Sequence, residues 1–180
     1  LIYLVRDPIE RTISHYRGSR RDGREQRSFE AAVADVDTSN YVLTSRYHFQ
    51  LQPYLEQFSG EDLLVVTAEE LDSAPTSTLR TIYRFLDVNP AFENQRVGRR
   101  FNDSVGKKKL APWTRWLSRQ VPQSLKDRTR PYLPLHWLPG ERIPRPEVSP
   151  ETRARLEAVF RPDVEALRDL TGRDFSAWSV

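Results

Sequence analysis

Two short apolar runs constrain the fold of this chain more than any other feature. They lie at residues 1–5 and 63–67, consist almost entirely of Leu, Ile, Val and Tyr, and are too short for buried helices. The first run is typical of a central strand buried on both faces of a sheet. Helical patterns separate the runs, so the strands should be parallel and joined by crossover helices. The sequence therefore predicts an α/β layer architecture.

Capping residues mark where the main helices begin. Asp7 is a preferred N-cap and Pro8 a preferred first helical residue, so a helix should begin at Pro8 and fray near Gly18. Ser149 and Pro150 give the same signal for a C-terminal helix that runs to a glycine at position 172. Further helices are expected over residues 28–36, 45–58 and 75–86, and a charged loop over 19–27.

Composition divides the chain into three parts of one domain. Nine of the 13 prolines lie between residues 112 and 162, where they disfavour long helices. We therefore expect an α/β core over 1–111, a Pro-rich irregular segment over 112–148, and a C-terminal helix and tail over 149–180. The chain contains no Cys, which excludes a disulfide framework, a thiolate metal site and a Cys nucleophile.

The start of the chain indicates a fragment or a processed product. There is no Met in the sequence, and its first residues already lie within an apolar run. The sheet is therefore expected to be incomplete at the N-terminus. No apolar run approaches the roughly 18 residues that span a bilayer, and no signal peptide is recognisable. A cytoplasmic location is expected.

Positive charge is concentrated in one segment. Residues 96–130 contain eleven basic side chains against two acidic ones, although the whole chain has a net charge of only +3. Such a segment suits a polyanion, and it is equally typical of a solvated basic surface. The sequence leaves both interpretations open.

Arg6 is the clearest candidate for binding an anion. It follows the first strand directly, and ligands of open α/β sheets bind beyond the carboxyl ends of the strands. A guanidinium grips phosphate through paired hydrogen bonds, and the following helix N-terminus would add amide donors. Ser14, on that helix, offers a hydroxyl. The alternative is that Arg6 pairs with Asp7 or Glu10 and that Ser14 is a surface hydroxyl.

These residues resemble a known family. The segment LIYLVRDPIERTISHY resembles the 3′-phosphate-binding segment of sulfotransferases that use 3′-phosphoadenosine 5′-phosphosulfate (PAPS). The branch that it resembles most includes the heparan sulfate sulfotransferases and their bacterial relatives. Five later blocks resemble the same family in the same order: SRYHFQLQPYLEQF, LLVVTAEEL, SAPTSTLRTIYRFLDV, RFNDSVGKKK and TGRDFSAW.

The resemblance implies a fold and a set of site residues. It implies the P-loop-like sulfotransferase fold, with PAPS as donor and adenosine 3′,5′-bisphosphate as product. Arg6 and Ser14 would hold the 3′-phosphate, and the family's basic loop over that phosphate would be represented by Lys107, Lys108 and Lys109. The acceptor would be a hydroxyl or amine of a carbohydrate or small molecule.

Two departures from the family matter. The 5′-phosphosulfate loop and the catalytic base of the family would lie upstream of Leu1, so the chain alone is expected to be inactive and its catalytic base is not assigned. The chain also lacks the Cys pair of the heparan sulfate enzymes and the Lys-Gly-Arg pattern of the basic loop. These differences favour a bacterial, cytoplasmic relative.

Other polar residues are weaker candidates. The three histidines show no metal-ligand spacing, so no metal is expected, and His48 is most simply a polar helix residue. Glu69 and Glu70 follow the second strand, where capping or pairing with an Arg is the simpler role. Trp113 and Trp116 would stack a sugar or base, or pin the Pro-rich segment to the core.

Two other functions are compatible with the same pattern. A nucleotide kinase-like phosphoryl-transfer domain shares the architecture, although no G-x-x-x-x-G-K-[ST] motif is present in the chain. A non-enzymatic polyanion binder would use the basic segment at 96–130. The sulfotransferase interpretation expects no nucleic-acid partner and leaves the acceptor and the oligomeric state undefined.

Overall fold

The computed structural model describes residues 1–92, 108–110 and 140–180, with side chains for residues 1–92 and 143–180. The strands are β1 (Ile2–Val5), β2 (Leu64–Thr67), β3 (Lys108–Leu110) and β4 (Gly140–Arg142). The helices are α1 (Pro8–Arg21), α2 (Phe29–Ala32), α3 (Asn40–Leu43), α4 (Tyr47–Leu55), α5 (Ala68–Ser73), α6 (Pro75–Phe85) and α7 (Pro150–Thr171). A 3-10 turn spans Gly60–Asp62.

The two apolar runs form a parallel pair of strands. Ile2 lies opposite Leu64, and Val5 lies opposite Thr67, so both strands end at the same edge of the sheet. Helices α1 to α4 lie between them in the chain. The prediction of a parallel sheet with crossover helices is confirmed.

The prediction that β1 is buried on both faces is wrong for the part of the chain that the structure describes. Val5 is fully buried, but Ile2 is 38% exposed and Leu4 is 55% exposed. Side chains alternate between the two faces of a strand, so Ile2 and Leu4 share one face. The opposite face, which carries Tyr3 and Val5, packs against α4, α7 and the C-terminal tail.

Helix α1 begins as predicted and ends later. Asp7 caps it and Pro8 is its first residue, but the helix passes through Gly18 and ends at Arg21. An isolated glycine costs a helix only about 1 kcal/mol, and basic residues in the last turn favour its continuation. The chain instead turns at Gly23, whose φ is +69°.

The expected helix over 45–58 is shorter, and the expected helix over 28–36 is only one turn. Helix α4 begins at Tyr47 and has no side-chain cap of its own. The carboxylate of Asp163, on α7, accepts the N–H groups of His48 and Phe49 at 3.0 and 2.9 Å. A residue distant in sequence therefore supplies the cap of α4.

Helix α7 holds two apolar clusters together. Its N-terminal half contributes Leu156 and Phe160 to a cluster with α1, α2 and α3. Its C-terminal half contributes Val164 and Leu167 to a cluster with both parallel strands, α4 and the C-terminal tail. As predicted, Ser149 caps this helix and it ends at a glycine, which adopts a left-handed conformation.

A second, antiparallel pair of strands was not predicted. Lys108 pairs with Arg142 and Leu110 with Gly140, and β3 lies beside α1. The expected basic loop at 107–109 is therefore in part a strand, and the expected irregular segment at 112–148 contains β4. Residues 93–107 and 111–139, which include the rest of the basic loop and of the Pro-rich segment, lie outside the described residues.

Among the helices that the structure describes, none is long and apolar enough to cross a membrane.

Candidate functional site

The turn after β1 is held from three sides through Asp7. Its carboxylate accepts the N–H of Glu10 at 3.0 Å and the N–H of Ser179 at 2.6 Å. Its own N–H donates to the carboxylate of Glu69 at 3.1 Å. Asp7 therefore joins the first helix, the C-terminal tail and the end of β2 at a single point.

The backbone of Arg6 is fixed by Tyr47. The N–H of Arg6 donates to the Tyr47 hydroxyl at 3.2 Å. Tyr47 is 1% exposed and packs against the rings of Tyr3 and Trp178, each with ring centroids 5.8 Å away. Burial raises the pKa of the Tyr47 hydroxyl well above its usual range, so the group stays protonated.

A cavity of about 330 Å³ lies at this edge of the sheet, between β1, α1, α4 and α5. Its polar lining consists of Arg6, Arg11, Ser14 and His15, and the rest consists of Leu4, Val5, Tyr47 and Ala68. Arg6 and Ser14, the two residues that the sequence singled out, are thus brought together in one concave site. The volume is at the lower end of the range for small-ligand pockets.

The side chains of Arg6, Arg11 and Ser14, which line the cavity, donate no hydrogen bond to the described residues. The Arg6 guanidinium makes no hydrogen bond to them, and its Nε is buried without a partner. Its nearest carboxylate is that of Glu10, with Nη2 and Oε2 3.9 Å apart, which is longer than a hydrogen bond. No described residue pairs with the Arg11 guanidinium or the Ser14 hydroxyl. Donors left free in this way suit an anionic ligand.

The N-terminus of α1 does not supply the amide donors that were expected. Pro8 has no N–H, and Ile9 is completely buried. The N–H groups of Glu10 and Arg11 are bound by the side chain and the carbonyl of Asp7. The prediction of amide donors was wrong because Asp7, the cap that starts the helix, also occupies the donors of its first turn.

His15 adds no positive charge to the cavity at neutral pH. Its Nδ1 lies 3.2 Å from the Thr44 hydroxyl, and its ring meets that of Tyr41 edge-on at 4.9 Å. Burial, with smaller contributions from Arg11 and Arg24, lowers the pKa of His15 below its ordinary value. Guanidinium groups therefore carry the charge of the site.

The carboxylates after β2 have structural roles, as the simpler interpretation held. Glu70 forms a reciprocal capping box with Thr67 and an ion pair with Arg173, whose guanidinium also donates to the carbonyl of Val65. These bonds and the hydrogen bonds that Thr67 donates lower the pKa of Glu70, outweighing the opposite effect of burial. Glu70 is therefore used for helix capping and ion pairing, whereas Glu69 accepts the N–H of Asp7.

Several candidates lie outside this site or outside the described residues. His48 contributes its backbone N–H to Asp163 and does not line the cavity. Lys107, Trp113 and Trp116 lie outside the described residues, as do the side chains of Lys108 and Lys109. The backbone of β3 beside α1 is the only described feature of the basic loop.

Of the residues that line the cavity, sequence reasoning predicted only Arg6 and Ser14 and missed the others, including Arg11 and Tyr47. Arg11 could have been predicted from the sequence, because it precedes Ser14 by three residues and therefore lies on the same face of the helix. Tyr47 gave no such signal, since its hydroxyl reaches Arg6 only through the tertiary fold.

Parallel strands, crossover helices and a cationic cavity at the carboxyl end of the sheet define an α/β protein whose cavity suits an anionic ligand. Residues 1–169 match the family model described as "Sulfotransferase domain". The chain belongs to the sulfotransferase family. The resemblance seen in the sequence is thereby confirmed at the level of the family.

The chain is similar to curated sulfotransferases in sequence and to a solved structure in fold. The chain is 26% identical over 182 residues to two mouse proteins, heparan sulfate glucosamine 3-O-sulfotransferases 3B1 and 3A1. The matches cover 97% of this chain and 42% of each relative. The crystal structure of a sulfotransferase from Alicyclobacillus acidocaldarius shares the fold, with a TM-score of 0.63 and 24% identity. That match covers 99% of this chain and 57% of the solved one.

Proposed function

We propose that the protein transfers a sulfuryl group from PAPS to an acceptor and that the cavity holds the 3′-phosphate of this donor. One observation carries the proposal: Arg6 and Ser14 line the same cavity, and neither side chain donates a hydrogen bond to another described residue, Arg6 making only a long ion pair with Glu10. A phosphate dianion accepts several hydrogen bonds and favours paired donors from guanidinium. Membership of the sulfotransferase family supports this choice of anion.

In this proposal the described residues recognise the donor. Arg6 and Ser14 donate to the 3′-phosphate. The hydroxyl of Tyr47 accepts the backbone N–H of Arg6 and so keeps Arg6 beside the cavity. When PAPS is bound, the SO₃ group moves in line to the acceptor, a base takes the acceptor's proton, and adenosine 3′,5′-bisphosphate leaves. Lys107, Lys108 and Lys109 are proposed to approach the same phosphate, which the position of β3 beside α1 favours.

The acceptor is proposed to be a carbohydrate hydroxyl. Both mouse relatives are named for heparan sulfate glucosamine and for 3-O-sulfation. A small-molecule hydroxyl or an amine would undergo the same chemistry. Acceptor assays with desulfated glycosaminoglycans and radiolabelled PAPS, made on the full-length protein, would separate these classes.

Equilibrium binding by titration calorimetry tests the donor site. Wild type should bind adenosine 3′,5′-bisphosphate about 30- to 1,000-fold more tightly than AMP, because two charge-assisted hydrogen bonds contribute about 2–4 kcal/mol. Arg6→Met should remove most of this preference, and Ser14→Ala should reduce it. Arg161→Met is the matched control, since it removes an exposed guanidinium that has no described partner and lies outside the cavity.

Two results would count against the proposal. Equal affinity of wild type for both nucleotides would favour the kinase-like alternative. Arg6→Met with an undiminished preference would place the 3′-phosphate elsewhere. The thermal midpoint of each variant, measured in parallel, distinguishes loss of binding from loss of folding.

A further inference from the structure

Arg6 has an acidic neighbour that would compete with any anion. Glu10 lies four residues later on α1, so the two side chains share one face of the helix. A carboxylate there would pair with the Arg6 guanidinium and would repel a phosphate. Yet Arg6 Nη2 and Glu10 Oε2 are 3.9 Å apart, so the two groups form a long ion pair without a hydrogen bond.

Arg145 binds the same carboxylate. Its Nη1 donates to Glu10 Oε2 at 2.8 Å, and its Nη2 donates to Glu10 Oε1. Both carboxylate oxygens are therefore bound by one guanidinium in the paired geometry that is strongest for this contact. The same hydrogen bonding is the main cause that lowers the pKa of Glu10, whereas Arg6 is the least of the causes.

The segment that carries Arg145 is fixed in place. The guanidinium of Arg17, on α1, donates to the carbonyl of Ile143 at 3.0 Å. At the other end of the segment, the N–H of Ser149 donates to the carboxylate of Glu30 at 3.0 Å. Prolines at 144 and 146 flank Arg145 and restrict its backbone further. Arg145 is thus presented to Glu10 at little cost in conformational entropy.

We propose that Arg145 is a positioning residue that holds Glu10 away from Arg6 and so keeps the Arg6 guanidinium available to the phosphate of the ligand. This inference rests on the proposed function. Without Arg145, Glu10 is free to pair with Arg6, and its charge near the cavity is no longer compensated. Both effects weaken anion binding, and both depend on the negative charge of Glu10.

A double-mutant cycle tests the proposal by titration of adenosine 3′,5′-bisphosphate and AMP. Arg145→Met should weaken binding of the bisphosphate about three- to tenfold, the range expected for a partly exposed charge pair, and should change AMP binding little. Glu10→Gln alone should stay within about twofold of wild type. The double variant should recover wild-type affinity, because no carboxylate is left to compete. Arg145→Lys, which keeps the charge without the paired geometry, should fall between.

Recovery in the double variant separates this role from simple tethering of the segment. If the double variant binds as weakly as Arg145→Met, Arg145 acts by tethering the segment, and the proposal is overturned. Unchanged affinity in Arg145→Met, or binding more than tenfold tighter in Glu10→Gln alone, would overturn it as well.

A matched control and the wild-type protein complete the experiment. Arg27→Met breaks a similar two-bond pair with Glu25 away from the cavity and should leave both affinities unchanged. If wild type prefers the bisphosphate but the variants of the double-mutant cycle all bind it equally well, only the role of Arg145 is refuted and the proposed function stands. Wild type without that preference refutes the proposed function, and the role of Arg145 falls with it.

Discussion

Removing the Asp163 carboxylate should destabilise the protein far more than a typical single substitution on α7. Asp163 is 6% exposed and accepts two first-turn N–H groups of α4 at 3.0 and 2.9 Å. Asp163→Ala would leave both donors, which are partly buried, without a protein partner, since α4 has no side-chain cap of its own. Each of these two hydrogen bonds should contribute about 1–2 kcal/mol, between the typical value for a helix cap and that for a hydrogen bond to a charged group. We expect the free energy of unfolding to fall by about 2–4 kcal/mol.

Urea denaturation followed by circular dichroism measures this loss. With a slope of about 2 kcal/mol per molar urea, the midpoint should fall by about 1–2 M. Asp163→Asn keeps one acceptor oxygen and should lose about half as much. Asp169→Ala is the matched control, because it removes an exposed carboxylate from the same helix. A loss in Asp163→Ala no greater than in the control would refute the idea that α7 caps α4.

Two further predictions concern the pH dependence of stability and the glycines. The pKa of Glu25 is lowered to about 2, chiefly by hydrogen bonds from Arg27, so its stabilisation is present above its unfolded pKa of 4.5 and is lost as pH falls from 4.5 toward 2. The difference in unfolding free energy between wild type and Glu25→Gln should shrink across that range, and an equal difference at pH 6 and pH 2 would contradict this. Gly172→Ala should lower the thermal midpoint by a few degrees because φ is +66° there, at a cost of about 1 kcal/mol. Gly18→Ala should raise the midpoint, since an added Cβ meets nothing within 4 Å inside a helix; shifts of the same sign in both variants would refute the argument.

Local signals explain what the sequence could predict. The strands and the start of α1 follow from short apolar runs and from the Asp7 and Pro8 pair, all within a few residues of one another. Helix α5 was not predicted, although its signal was equally local. Thr67 and Glu70 form a capping box, and that spacing is readable in the sequence.

Non-local contacts explain what the sequence could not predict. The bonds that fix the turn after β1 join Arg6 to Tyr47 across 41 residues and Asp7 to Ser179 across 172 residues. The pairing of β3 with β4 likewise joins segments about thirty residues apart. Such pairings depend on how the helices pack, and no local pattern encodes them.

An acidic cap beside the proposed anion site would be expected to oppose binding, and the contacts of that cap resolve the conflict. The Asp7 carboxylate accepts the N–H of Glu10 and the N–H of Ser179, and only 6% of the residue is exposed. The Asp7 carboxylate is therefore bound to backbone N–H groups, and it occupies the helix-terminal amides that many phosphate sites use. Recognition of an anion must then come from side chains, with Arg6 and Arg11 as the cations of the cavity. A site of this kind can be selective only if nothing else neutralises those guanidinium groups, which is why the position of Glu10 matters as much as that of Arg6.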